Sequence, residues 1–164
     1  MKYMTNLHAM LNHFRGASKV IEADWQNVAN SVGLTQAELH TLWMVYFEER
    51  ASITTIANHG LWDRSTVMQV VKRLKEKGLV SVEKDDQDLR VSYVILTEEG
   101  KKRQTSTATA EFSFFQFLQE LRLEDEEGYY KLLSFIEKFN RNYHGEEYCE
   151  WVEKTAKIFD EKFS

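Results

Sequence analysis

Between Asp63 and Gly78 the chain places Ser65, Thr66, Gln69, Lys72 and Arg73 where a helix would hold them on one side. At about 100° per residue, Ser65, Gln69 and Lys72 point directly away from a stripe of Val67, Val70, Val71 and Leu74, with Thr66 and Arg73 on the flank. The stripe recurs at i, i+3, i+4 and i+7, so it must be buried against something. The outer face carries hydroxyls, a carboxamide and cations, which donate to phosphates and base edges. Glutamine in such company suits a DNA major groove, where it pairs bidentately with adenine. From Arg64 to Lys77 five basic residues (Arg64, Lys72, Arg73, Lys75, Lys77) stand against Glu76, in a chain of net charge −5.

A solvated amphipathic helix would look much the same, so the flanking elements decide. Asp63 is a good N-cap, and Gly78 sits where a left-handed residue would end the helix. Upstream, Ser52 caps a short helix with Ile56 and Ala57 facing inward; Gly60 closes it, and a turn through Leu61 and Trp62 leads into the basic helix. Downstream, 79–83 and 90–96 read as two strands around a polar tip, 84–89. Helix, turn, helix and hairpin in that order make a winged helix-turn-helix. Thr35 and Glu38 form a capping box that opens a scaffold helix through Leu39, Leu42, Trp43, Val45, Tyr46 and Phe47. A long helix over 4–31, stopped by Gly33, precedes it.

After the hairpin, Thr97 caps a further helix whose first turn carries Glu98 and Glu99. Lys101, Lys102 and Arg103 can reach flanking phosphates, but a solvated charged turn explains them as well. The polar run 104–109 reads as a place for close helix approach or a slight bend rather than a linker. Three helices fit the aromatic tail, with breaks near 123–125 and at Gly145; its aromatics suggest a core shared between two subunits. The fold class is thus mainly α with a small β-hairpin wing. Residues 34–97 form the winged helix-turn-helix, and 1–33 with 98–164 form a helical dimerisation region.

With these elements in register the chain resembles the MarR family of bacterial transcriptional regulators. The stretch DRSTVMQVVKRLKEKGLV from Asp63 looks like the family's recognition helix, and Asp88-Leu89-Arg90 followed by Leu96-Thr97 fits its wing pattern D-x-R-x(5)-L-T. The family usually has an apolar residue and then Gly after the short helix, whereas here Gly60 precedes Leu61. That order, with ELHTLWMVY from Glu38 and ASITTIANHG from Ala51, is similar to the Hpr-type branch, which represses extracellular protease and sporulation genes.

The resemblance implies a homodimeric repressor that binds pseudo-palindromic operators and blocks RNA polymerase. Ser65, Thr66, Gln69, Lys72 and Arg73 would face the major groove. Arg90 would enter the minor groove, Asp88 would fix the wing by pairing with a nearby basic side chain, and Arg64 and Lys84 would touch phosphates. Family members often take small aromatic acids between the dimer helices and the winged lobe. The corresponding candidates here are Trp25, Trp43, Tyr46 and Phe112, although core packing explains these aromatics equally well.

Composition limits the alternatives. At 164 residues with 43% hydrophobic content, the chain is about one domain long. Residues 1–52 hold four basic and five acidic side chains, 53–110 hold ten and eight, and 111–164 hold seven and thirteen. Diffuse nucleic-acid binding is therefore disfavoured, and one basic face on an acidic body is favoured. No apolar run approaches the ~18 residues of a membrane span, and no signal peptide is evident, so a cytoplasmic location is expected. Cys149 alone cannot make an internal disulfide and fits a reducing compartment. His8, His13, His40, His59 and His144 are too scattered for a zinc site, and phosphate loops and nucleophile elbows are missing, so neither a metal, a cofactor nor an enzyme is expected. The competing reading is a winged-helix adaptor for protein partners, supported by the acidic tip Asp85, Asp86 and Asp88, whose charges would repel phosphates.

Overall fold

The computed structural model describes residues 2–86, 88 and 90–163, so Gln87 and Leu89 of the expected wing tip lie outside the described residues. Among the described residues, eight helices and three strands follow in the order α1 (Lys2–Ser31), α2 (Gln36–Glu48), β1 (Ala51–Ser52), α3 (Ile53–Gly60), α4 (Arg64–Glu76), β2 (Val80–Lys84), β3 (Ser92–Leu96), α5 (Glu98–Thr105), α6 (Ser113–Glu124), α7 (Glu126–His144) and α8 (Glu146–Phe163). The expected winged helix-turn-helix is therefore present. None of the described helices is long and apolar enough to cross a membrane.

Local chemistry explains most boundaries. Thr35, Ser52, Asp63 and Thr97 each accept a backbone N–H at the start of a helix, and the Thr35–Glu38 capping box is complete. Gly78 follows α4 at φ +71, a left-handed conformation that costs a side chain energy and glycine almost none. The N-terminus of α6 has no local cap; instead Asp24 of α1 accepts from the Ser113 hydroxyl at 3.0 Å and from Phe114 N at 3.1 Å.

Three features differ from the sequence-based expectation. The wing sheet has a third strand: β3 is central, paired antiparallel with β2 (Val82 opposite Val94) and with two-residue β1 (Ala51 opposite Val94). The left-handed residue that ends α3 is Leu61, at φ 53, and not Gly60. Gly60 is needed for space, because a Cβ there would lie 2.8 Å from the Trp62 ring. The polar run 104–109 ends α5 instead of continuing it. Thr105, Ser106 and Thr107 turn their hydroxyls onto the carbonyls of Lys101, Arg103 and Gln104, a competition with the helical ladder that favours termination.

The core lies under the winged lobe, where Leu39, Leu42, Met44 and Val45 of α2 meet Ile56 of α3, Val67, Val70 and Leu74 of α4 and Val94 of β3. The aromatic tail is divided. Trp151, Phe159 and Phe163 of α8 pack on this lobe, with Phe159 and Phe163 5.5 Å and 5.7 Å from Trp43. By contrast Phe117, Phe135, Phe139 and Tyr143 remain at least half exposed.

One buried ion cluster ties α2 to α4. Glu38 is 1% exposed, accepts from Thr35 N at 2.9 Å, and meets Lys77 Nζ at 2.8 Å and Arg73 Nε at 3.3 Å. Burial pushes its carboxyl pKa up, but the Lys77 hydrogen bond, the Thr35 backbone bond and the Lys77 charge outweigh it, leaving the pKa below the usual 4.5. A depressed folded-state pKa contributes stability above the unfolded value, lost as pH falls through the folded one. Glu38→Gln should therefore cost about 1–3 kcal/mol at pH 7, since it strands part of a buried polar cluster. Thermal unfolding should show the wild-type advantage shrinking below pH 4.5; an advantage independent of pH would remove the ion cluster as its source.

Candidate nucleic-acid interface

Helix α4 buries Val67, Val70, Val71 and Leu74 and turns its polar face outward, as its periodicity requires. Arg64, Ser65, Gln69 and Lys72 are exposed and Thr66 is half-buried. Lys72 is 78% exposed and only loosely paired with Glu76, at 3.9 Å. Near the helix N-terminus, the Asp63 carboxylate accepts from the Ser65 and Thr66 hydroxyls and from Thr66 N at 2.9 Å. These bonds hold its pKa well below the ordinary carboxylate range. The hydroxyl protons of Ser65 and Thr66 are thereby engaged, and their oxygens keep lone pairs for incoming donors. Arg73 is 46% exposed, with one edge on Glu38 and the rest of the guanidinium beside the face.

The wing supplies the second set of groups. Lys84 and Arg90 are exposed, and Asp88 is half-buried. The basic partner of Asp88 is Arg90 itself: Nε and an Nη lie 2.9 Å and 3.0 Å from its two carboxylate oxygens, and Asp88 also accepts from Arg90 N at 3.1 Å. The bidentate bond raises the Arg90 pKa and lowers that of Asp88. With Arg90 91% exposed, Asp88 orients it outward without hiding it. Asp85 accepts from Asp88 N at 3.0 Å and faces Arg50, whose guanidinium lies 3.9 Å above the Tyr93 ring. Two of the three tip acids thus stand beside cations, which reduces the repulsion of phosphates that favoured the adaptor reading.

Sequence reasoning missed Arg50 and Lys77, which position these groups, and Met68, a 61% exposed apolar side chain within the polar surroundings of α4. Arg50 precedes the unforeseen strand β1, Lys77 was counted only as surface charge, and Met68 belongs to neither the buried stripe nor the donors.

A cavity of about 780 Å³ opens between α1, α2, α6 and α8. Trp25, Trp43 and Phe112 line it together with His40, Phe115 and Trp151. Tyr46 does not; its ring packs against Trp43, Phe47 and Phe163. His40 stacks on Trp25 and meets Trp62 edge-on, and burial lowers its pKa by disfavouring the charged ring.

Comparisons with known proteins agree with this architecture. Residues 34–92 match the MarR family model. The HTH-type transcriptional regulator Hpr of Exiguobacterium sibiricum is 30% identical over 159 residues, spanning 94% of this chain and 83% of the relative. Hpr of Geobacillus thermodenitrificans is 33% identical over 88% of this chain and 74% of its own length. The DNA-binding transcriptional repressor ScoC of Bacillus subtilis is 42% identical over a shorter stretch, 50% of this chain and 40% of the relative. Among solved structures, a MarR family transcription regulator superposes with a TM-score of 0.72 at 15% identity, over 85% of this chain and 93% of that one. Reduced AbfR bound to DNA superposes at 0.65 and 19%, over 87% and 98%; both likenesses concern the fold. The chain therefore belongs to the MarR family, in its Hpr-type branch, and is a DNA-binding transcriptional regulator rather than an enzyme.

Proposed function

We propose that the chain is a cytoplasmic homodimeric repressor that reads a pseudo-palindromic operator with α4 in the major groove and the wing tip in the adjoining minor groove. The observation that carries this reading is the uncovered polar face of α4, set on a helix whose opposite face is fully buried. In this reading Gln69 meets a base edge, Ser65, Thr66, Lys72 and Arg73 meet base edges and phosphates, and Arg64 and Lys84 meet flanking phosphates. Arg90, held extended by Asp88, serves the minor groove.

The apolar surface left outside the lobe supports the pairing of two chains. Leu11 and Phe14 of α1 are 69% and 51% exposed, and Phe135 and Phe139 of α7 are 51% and 50% exposed. A two-fold axis through these helices lets two copies bury them together and sets two α4 helices about one DNA turn, ~34–36 Å, apart. In this reading residues 34–97 are the DNA-binding unit, as the sequence suggested, while α8 serves that unit and α1, α6 and α7 serve the dimer. Two chains on adjacent major grooves would exclude polymerase from an overlapping promoter.

The cavity favours a second, linked activity: gating by a small molecule. Its wall is aromatic, burial disfavours the charged form of its histidine, and among the described residues lining it there is no Lys or Arg while Glu111 is present. An aromatic carboxylate would enter without a counter-charge, so a neutral or cationic aromatic compound fits this chain better than the acids implied by the family resemblance. Bound at 100 times its Kd, such a compound should stabilise the fold by about 2.7 kcal/mol. A thermal-shift series should show aromatic amines or neutral aromatics raising Tm and matched benzoates not; stabilisation by benzoates alone would reverse the assignment.

For DNA binding, Arg90→Ala should weaken the complex by about 1–3 kcal/mol, and Gln69→Ala should relax preference at one base pair per half-site. Fluorescence anisotropy on duplexes enriched from a random pool measures both. Unchanged affinity and unchanged preference in the two variants would remove these residues from the interface.

A further inference from the structure

We propose that Met68 is a specificity-determining residue that reads the 5-methyl group of a thymine; this rests on the reading of α4 as the major-groove helix. Met68 is 61% exposed in the second turn of α4, among Arg64 and Ser65 one turn before it and Lys72 one turn after it, all exposed. Relative to the buried stripe it lies on the opposite flank from Arg73, so these two side chains bracket the outward line of Ser65, Gln69 and Lys72.

An α-helix about 10–12 Å across fills a major groove about 12 Å wide, so its flanks as well as its outermost line lie against base edges. On that flank a thioether offers no donor to a phosphate and only a weak acceptor to a base. The apolar group that the major groove presents is the thymine methyl, and apolar side chains are its natural partners. Methionine, unbranched and polarisable, can follow the methyl without a fixed rotamer. Gln69 is the adjacent residue, so the thymine read by Met68 lies next to the base pair read by the carboxamide.

The test uses the full-length protein and duplexes it enriches from a random pool, with each thymine replaced in turn by uracil, a change that removes only the methyl. Burial of one methyl predicts about a four-fold loss of wild-type affinity at one position in each half-site. Met68→Ala, an exposed substitution checked by thermal unfolding, should bind the thymine and uracil versions of that position alike. Two results overturn the proposal alone: sequence-specific wild-type binding insensitive to every uracil, or methyl sensitivity that survives in Met68→Ala. A pool that yields no enriched sequence overturns the placement of α4 in the groove, and the role of Met68 with it. The wild-type uracil scan stands even if the variant fails to fold.

Discussion

The buried carboxylate of Glu38 is the contact on which the orientation of the exposed polar face of α4 depends. It caps its own helix through Thr35 and holds the C-terminal part of α4 through Lys77 and Arg73. Taking a charge from water costs several kcal/mol, and the cost is offset only when hydrogen bonds and opposite charges surround it. Here two cations and a backbone N–H do so. The result fixes the rotation of α4 about its axis, since Arg73 and Lys77 face α2 while Ser65, Gln69 and Lys72 are left outward. The valine and leucine stripe makes α4 bury one face, and the ion cluster fixes its register against α2.

Helix α2 also faces the cavity. Glu38 points towards α4, whereas His40 and Trp43 line the cavity shared with α1, α6 and α8. The C-terminal helix reinforces this arrangement: Trp151 stacks on His59 of α3 at 4.4 Å, and Phe159 packs on Trp43. Helix α8 follows α7 with Gly145 alone between them and packs on α3, the first helix of the helix-turn-helix. Helix α8 also lines the cavity, through Trp151 and Phe159.

Much of this was legible in the sequence because the signals were local. N-caps at Thr35, Ser52, Asp63 and Thr97, the glycine after α4 and the four-residue stripe of α4 each follow from the chemistry of a few neighbouring residues. The missing parts depend on distant contacts. Strand β1 is two residues long and exists because β3 offers a free edge. Leu61 accepts a left-handed backbone, and Gly60 makes room for Trp62. The tail aromatics divide between lobe and open surface according to where α8 docks, which no periodicity reports. The polar donors of α4 and the wing were recognisable by type, but the bonds that orient them, Arg90 to Asp88 and Arg73 to Glu38, needed the fold.

The central claim is that α4 and the wing, held by this framework, form the surface that meets DNA. Amide hydrogen exchange with and without a duplex enriched from a random pool addresses it most directly. Slower exchange concentrated at residues 63–69 and 84–92, with the α8 surface unchanged, is the predicted result. Protection on α7 or α8 with none at the start of α4 would contradict it.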